Sequence, residues 1–177
     1  MSDMFVEPPD DPREGTSALG ERACLLDYLR NYRLTLELKC QGLDAEQLAR
    51  RSVPPSTMSL LGLLRHMVGV EHHWFRTVMD GSDVPRPYRT PEDRDADFNG
   101  AVADDAVVAE AWAAWRAEVA YAEERVDRAP SLDEMFTMPN GDSLELRDLL
   151  VHMVEEYARH CGHADLLREC VDGRTGQ

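Results

Sequence analysis

Apolar side chains recur every three or four positions in four long segments of this 177-residue chain. A stripe with that period lines one face of an α-helix, whereas a half-buried strand would alternate at every second residue. The stripe is clearest in the third segment, where it consists of Val108, Trp112, Trp115, Val119, Ala122 and Val126. Helices that each have one apolar face can bury those faces against one another, so the pattern predicts an all-α four-helix bundle.

Proline, glycine and capping residues indicate where the helices begin and end. The predicted helices cover residues 17–40, 56–79, 105–128 and 142–170, with a short helical turn at 44–51. Asp142 and Glu145 have the spacing of an acidic capping box at the start of the fourth helix. Just before it, Asn140 and Gly141 predict a tight turn between two short extended pieces within 135–142.

A long connection, residues 80–104 with three prolines, separates the second and third helices. Its length suits a crossover along the bundle better than a tight turn, which predicts an up-down-down-up topology. Loops of this length in compact domains tend to carry function. The chain is predicted to divide into a loose N-terminal arm (1–15), a single helical domain (16–172) and a short tail (173–177).

The composition of this chain argues against several classes of binding partner. Its formal charge is −15 with a single lysine, Lys39, and an acidic surface repels nucleic-acid phosphates and anionic lipids. Apolar runs are far shorter than the roughly 20 residues that span a bilayer. The four cysteines form no CxxC pair, and no segment resembles a secretion signal. The prediction is a cytoplasmic protein with reduced thiols that binds neither nucleic acid nor membrane.

The last helical segment holds three of the six histidines, together with a glutamate between them. At 100° per residue, the side chains of His160, Glu156, His163 and His152 lie at about 80°, 40°, 20° and 0°, with the apolar arc centred near 120°. Burial should therefore decrease in that order. His160 and Glu156 are four residues apart, so they are best placed to share one metal ion.

The second helix offers three further histidines. His66 lies at the edge of the apolar arc and is the inward choice, whereas His72 and His73 fall outside it. Glu71 falls inside the arc, where an unpaired carboxylate is costly; it either orients a metal-bound histidine or hydrogen-bonds a buried Tyr, Trp or Arg. Cys161 faces away from the histidine and glutamate pair, which argues against a role as nucleophile.

Together, His66, Glu156 and His160 would form a site of three ligands from two helices. Further positions would stay open for water or substrate, as in catalytic rather than structural zinc sites. Nickel or iron would also suit these ligands. The residues alone equally allow a network without metal, in which core histidines and carboxylates satisfy one another.

Four segments of the chain resemble the DinB-like superfamily, and more narrowly its actinobacterial branch near mycothiol S-transferases and mycothiol-dependent maleylpyruvate isomerase. These segments are Leu43–Leu48, Pro54–Met67, Val70–Phe75 and His152–Arg168. The resemblance covers residues 18–170 approximately and is strongest in the two histidine-bearing helices. It implies an up-down-down-up bundle that holds a divalent metal, commonly zinc or nickel.

By this resemblance, the metal ligands are one residue of the second helix and two of the fourth. The matching positions are His66, Glu156 and His160; many relatives have histidine where Glu156 stands, the isomerase branch has glutamate, and His163 is a reserve ligand. The resemblance also implies a mycothiol-type thiol that attacks a small electrophile, in S-transfer or isomerisation, with the 80–104 loop shaping the pocket. The alternative is a metal- or small-ligand-binding stress protein without turnover. A homodimer is compatible with either.

Overall fold

Helices dominate the part of the chain that the computed structural model describes, which is residues 5–6, 10–13, 18–138 and 140–176. They are α1 (Glu21–Cys40), α2 (Ala45–Ala49), α3 (Leu60–Glu71) with a π-helical extension (His72–Val78), α4 (Ala96–Asn99), α5 (Asp105–Asp127) and α6 (Leu146–Asp172). Two short strands, β1 (Met135–Thr137) and β2 (Ser143–Glu145), form an antiparallel hairpin. The all-α prediction is confirmed. Within the described ranges, no helix has the length and apolar character needed to cross a membrane.

Helices α1 and α6 pack side by side and run in the same direction. Near their starts, Arg147 Nε donates a hydrogen bond to Glu21 Oε1 at 2.7 Å. Near their ends, Arg168 Nη1 donates to the carbonyl oxygen of Lys39 at 3.0 Å. Because corresponding ends meet, the two helices are parallel.

Helix α3 runs in the opposite direction to α6. The ring of His66, in the first half of α3 and its extension, lies 4.8 Å from the ring of His160 in the second half of α6. The ring of Trp74, in the π-helical extension, lies 4.6 Å from that of His152 near the start of α6. The start of one helix therefore meets the end of the other.

Helix α5 runs parallel to α3 and its extension. Arg65 lies 3.9 Å from Glu110, and further along both helices Arg76 Nε donates to Glu118 Oε2 at 2.6 Å. Helices α3 and α5 thus point one way, and α1 and α6 the other. This is the predicted up-down-down-up topology.

The second predicted helix, 56–79, differs from the structure at its start and in its geometry. The hydroxyl of Ser59 accepts from the backbone N–H of Gly62 at 3.1 Å, so Ser59 rather than Ser56 caps the helix. From His72 onward the helix is π-helical, with hydrogen bonds to the fifth rather than the fourth preceding residue. His72, placed outside the apolar arc, is nevertheless only 2% exposed, because the connection and α5 cover it: its Nε2 lies 3.1 Å from the carbonyl oxygen of Val84, and its Nδ1 lies 3.7 Å from Glu118 Oε1.

The capping box predicted at Asp142 and Glu145 is wrong. Helix α6 begins only at Leu146, because the preceding three residues belong to β2 and pair with β1. The N–H of Leu146 donates to the carbonyl oxygen of Glu134 at 2.9 Å, so the hairpin leads directly into the helix. The predicted tight turn is present, with Gly141 at a φ of 90°, a left-handed conformation that glycine adopts without strain.

The N-terminal arm contributes to the packing in its described parts. Phe5 is buried, and its ring centroid lies 3.8 Å from the guanidinium carbon of Arg174 and 4.1 Å from Lys39 Nζ. The arm was predicted to be loose, but at Phe5 it contacts the end of the bundle. Helix α1 begins at Glu21 rather than at Ser17, which lies outside the described residues. The division into arm, domain and tail stays a prediction.

The long connection between α3 and α5 lies against α3 and includes α4. Arg65 Nε donates to the carbonyl oxygen of Asp97 at 2.9 Å, and its guanidinium lies 3.9 Å from the ring centroid of Tyr88. Gly62 lets the connection approach closely, since a Cβ at this position would lie 2.7 Å from Phe98 Cδ1. These contacts hold α4 next to the face of α3 that carries His66.

A buried hydrogen-bonded network joins one residue from each long helix. Arg33 on α1 donates from Nε and Nη2 to the two carboxylate oxygens of Glu71 on α3, each at 2.8 Å. The hydroxyl of Tyr157 on α6 donates to Glu71 at 2.7 Å and accepts from Trp115 Nε1 on α5 at 3.0 Å. Of the two roles predicted for Glu71, these bonds correspond to the second, pairing with buried Arg and Tyr side chains.

Candidate metal centre

Three side chains predicted as metal ligands converge between α3 and α6. His66, Glu156 and His160 each offer one ligand atom, and these atoms lie within 4.8 Å of one another. Two of these side chains are neighbours on α6, where His160 Nε2 and Glu156 Oε2 lie 3.6 Å apart. Glu156 and His160 occupy adjacent turns of α6, whereas His66 comes from the antiparallel α3. The bundle topology therefore brings together residues that are far apart in sequence.

Exposure along α6 decreases toward this cluster. The side chains of His152, Glu156 and His160 are 35%, 24% and 12% exposed, which confirms the order predicted for these three. His152 lies at the margin, with its Nε2 3.5 Å from Glu156 Oε1 and its ring against Trp74. The carboxylate of Glu156 thus lies between two imidazole rings.

His66 is oriented by a carboxylate that the sequence analysis did not single out. Asp97 on α4 lies with its Oδ2 2.8 Å from His66 Nδ1. Burial raises the pKa of Asp97, but the hydrogen bond and charge of His66, together with the N–H of Phe98, bring that pKa below its usual value. Asp97 is therefore a carboxylate that accepts from Nδ1–H, which leaves His66 Nε2 as the nitrogen free to bind a metal.

Sequence reasoning could not have identified Asp97. It lies in the connection that was expected to shape the pocket, but several other acids share that segment. No spacing relates Asp97 to His66, because they are 31 residues apart and belong to different elements. Only the packing of α4 on α3 shows that this acid, and not its neighbours, meets the histidine.

His160 contacts a second histidine, His163, through the ring nitrogen that does not face Glu156. Their Nδ1 atoms lie 3.3 Å apart, so one of the two rings donates to the other. If His160 binds a metal through Nε2, its Nδ1–H must be the donor. Burial, followed by the charges of His66 and His163, lowers the pKa of His160 to about 4. His160 is consequently neutral at pH 7, the form in which imidazole binds metals. The reserve ligand His163 is outside the converging group and contacts His160 instead.

None of the four cysteines belongs to this cluster. All are free thiols; Cys24 and Cys170 are exposed, whereas Cys40 and Cys161 are buried. Burial raises the pKa of both buried thiols to about 12. A nucleophilic role for Cys161 is thus not supported, in agreement with the sequence analysis.

This difference in thiol reactivity can be tested directly. With an aromatic disulfide reagent at pH 8, we expect Cys24 and Cys170 to react rapidly in the native protein, because their thiolates are accessible. Cys40 and Cys161 should react only after the protein is unfolded in guanidinium chloride. Rapid native-state labelling of Cys161, located by peptide mass spectrometry, would contradict the expected protection.

Two imidazole nitrogens and one carboxylate oxygen form a donor set that zinc accepts, and three protein ligands leave a coordination position for another molecule. Both histidines have a second partner on the other ring nitrogen, Asp97 for His66 and His163 for His160. Such partners hold the rings of metal-binding histidines in one tautomer and orientation. The residues present therefore fit a divalent metal ion.

A protein-family model described as Mycothiol-S-transferase matches residues 24–173. The match runs from the first turn of α1 through the end of α6 and includes the connection that carries Asp97. It confirms the resemblance found in the sequence analysis, including its more narrowly defined branch. A comparison with curated proteins finds no match.

Proposed function

The chain belongs to the mycothiol S-transferase family, and on this premise we propose that it is a metal-dependent enzyme that joins a mycothiol-type thiol to a small electrophile. The convergence of His66, Glu156 and His160 on one point is the observation that supports this function best. We further propose these three residues as the ligands, zinc as the preferred ion, and nickel or iron as ions that the same donors would accept.

When bound, zinc supplies a Lewis acid that lowers the pKa of a thiol, so that a thiolate is available at neutral pH. The chain itself contributes orientation. Asp97 keeps the proton of His66 on Nδ1, and with a metal on His160 Nε2, the Nδ1–H of His160 would donate a hydrogen bond to His163 Nδ1, so both Nε2 lone pairs point away from these partners. The low pKa of His160 ensures that protonation does not compete at pH 7.

In S-transfer, the thiolate sulfur forms a bond to an electrophilic carbon while the bond to the leaving group breaks. The leaving group takes the electron pair, and the thiol proton goes to the solvent. Isomerisation would use the same thiolate, which adds to a conjugated double bond and is eliminated after rotation. A cytoplasmic location agrees with these reactions, because they need a reduced thiol pool.

The test combines metal analysis with a conjugation assay. Full-length protein purified without a polyhistidine tag should contain about one divalent ion per chain and should conjugate mycothiol to monochlorobimane. His73→Ala serves as a matched control, because His73 lies on the same helix as His66 but outside the converging group. Bound metal without conjugation of mycothiol or bacillithiol would favour the alternative, a metal-binding stress protein without turnover. If the protein neither contains metal nor conjugates the thiol, both the transferase function and the metal-binding alternative are excluded.

The contact with Asp97 makes a separate prediction. Asp97→Asn should lower the affinity for zinc by about 10- to 100-fold, because an amide cannot hold His66 in the required tautomer as a carboxylate does. Competition with a chromogenic chelator measures the change. Asp95→Asn, an exposed acid two residues away, is the control and should leave the affinity unchanged. Equal affinity of the Asp97→Asn variant and the natural protein would show that Asp97 has no such role.

A further inference from the structure

Arg86 lies against the backbone of α3, close to the candidate metal centre. Gly69, one helical turn after His66, makes this contact possible, since a Cβ at this position would lie only 2.6 Å from Arg86 Nε and 3.2 Å from its Nη2. The guanidinium therefore occupies the space that any other residue at position 69 would fill. This places a cation on the face of α3 that carries His66.

The side chain of Arg86 has no protein partner within the described ranges. It is partly buried, yet neither a hydrogen bond nor an ion pair joins its guanidinium to another described residue. The other partly or fully buried arginines differ, as Arg33 and Arg168 show with their bidentate carboxylate partners. A guanidinium has five N–H donors, and no nitrogen of Arg86 is among the buried side-chain atoms without a partner, so these donors reach solvent and are open to a ligand.

The charges around Arg86 relate it to the metal centre. Burial and the nearby charge of Arg89 lower the pKa of Arg86, and the carboxylates of Asp97 and Glu156 oppose this effect. The guanidinium of Arg86 thus interacts electrostatically with the carboxylates of Asp97 and Glu156, but it forms neither a hydrogen bond nor an ion pair with them. In the proposed function a divalent ion offsets these two negative charges, which leaves the positive charges of Arg86 and Arg89 available for an anion.

The backbone at this position is stiff. Arg86 stands between Pro85 and Pro87, whose rings fix their own φ angles, and a following proline restricts Arg86 to extended conformations. Tyr88 next to them is held by Arg65 and by a hydrogen bond from its hydroxyl to Glu110 at 2.7 Å. The guanidinium is therefore presented by a segment that loses little entropy when a ligand binds.

We propose that Arg86 binds a carboxylate group of the electrophilic substrate, and that the enzyme consequently prefers electrophiles with a carboxylate near the reacting carbon. This inference rests on the proposed function. A planar carboxylate matches the fork of a guanidinium and can accept two parallel hydrogen bonds from it. The electrophile needs such a contact more than the thiol does, because the thiol is held through its sulfur.

Binding can be tested without turnover. Isothermal titration of the full-length protein with succinate, and with the uncharged succinamide, should show binding of succinate only. Arg86→Gln should weaken succinate binding at least about tenfold, as expected for the loss of a charge-assisted bidentate contact. Arg94→Gln, which removes the same charge from an exposed position in the same connection, should change it less than about twofold. Metal content is measured in parallel for each protein. Equal succinate affinity of Arg86→Gln and the natural protein, or no binding of succinate, would overturn the proposal.

Kinetics give a second, independent measurement. Chloroacetate and chloroacetamide have the same reacting carbon, and in both the thiolate forms a C–S bond while chloride leaves with the electron pair. Arg86→Gln should lower kcat/KM for chloroacetate at least about tenfold and leave chloroacetamide within about twofold. Gly69→Ala should have the same selective effect, because its methyl group displaces the guanidinium while keeping the charge.

The two proposals can fail separately. If the natural protein conjugates neither monochlorobimane nor the two chloroacetyl compounds, the proposed function fails, but the succinate titration still decides whether Arg86 binds carboxylates. If both compounds react and Arg86→Gln slows them equally or not at all, the function stands and the assignment of Arg86 is wrong.

Discussion

His160→Ala is expected to reduce the affinity for zinc by at least about 100-fold and to abolish thiol conjugation. Loss of a partner that merely orients a ligand costs about 10- to 100-fold, and removal of the ligand itself should cost more. The side chain of His160 is also less exposed than that of Glu156, at 12% against 24%, so a water molecule would replace His160 poorly as a ligand. Chelator competition and the bimane assay measure the two effects.

The same experiment decides the role of His163. Because His163 contacts His160 through Nδ1 and lies outside the converging group, His163→Ala should weaken zinc binding by only about tenfold. His73→Ala should have no effect. If instead His163→Ala abolishes binding and Glu156→Gln does not, His163 rather than Glu156 is the third ligand. Unchanged zinc affinity in His160→Ala would contradict the proposed centre altogether.

Glu71→Ala is expected to destabilise the fold by about 3–5 kcal/mol, the cost of breaking a buried ion pair from one side. The variant removes the bidentate partner of the buried Arg33 guanidinium, which keeps only the exposed Glu123, 3.6 Å from its Nη1, and it also removes the acceptor of the Tyr157 hydroxyl. Urea denaturation followed by circular dichroism measures the free energy of unfolding. Glu155→Ala removes a carboxylate from the exposed pair with Arg159, and we expect it to change that free energy by less than about 1 kcal/mol.

Replacing both members of the buried pair provides the decisive comparison. The double variant Arg33→Met, Glu71→Met should recover most of the lost stability, because two apolar side chains of similar length leave no unpaired charge. If the double variant is no more stable than Glu71→Ala, the loss comes from the Tyr157 hydrogen bond or from packing, and not from an unpaired charge.

The long helices and their topology could be predicted because the relevant signals are local. Apolar residues at helical spacing in α5, and the four-residue spacing of Glu156 and His160, depend only on the geometry of a single helix. The topology could be inferred from the long connection between α3 and α5, because a connection of that length permits a crossover along the bundle. The mistakes lie where contacts with other segments decide the outcome. Pairing of β2 with β1 displaced the predicted cap at Asp142, and Val84 of the connection and Glu118 of α5 cover His72, which the wheel had placed outside the apolar arc.

The sequence by itself determined the helical periodicity, the order of burial along α6 and the candidate ligands, because residues a few positions apart on a helix have a fixed angular relation. Only the tertiary structure decided which residues support those ligands. Asp97 and Arg86 belong to the connection between α3 and α5, whose sequence shows no helical or strand periodicity. The position of this connection depends on its close contacts with α3 at Gly62 and Gly69. Those contacts place a carboxylate against His66, and they hold against α3 a guanidinium that has no hydrogen-bond or ion-pair partner among the residues that the structure describes; local spacing cannot encode either arrangement.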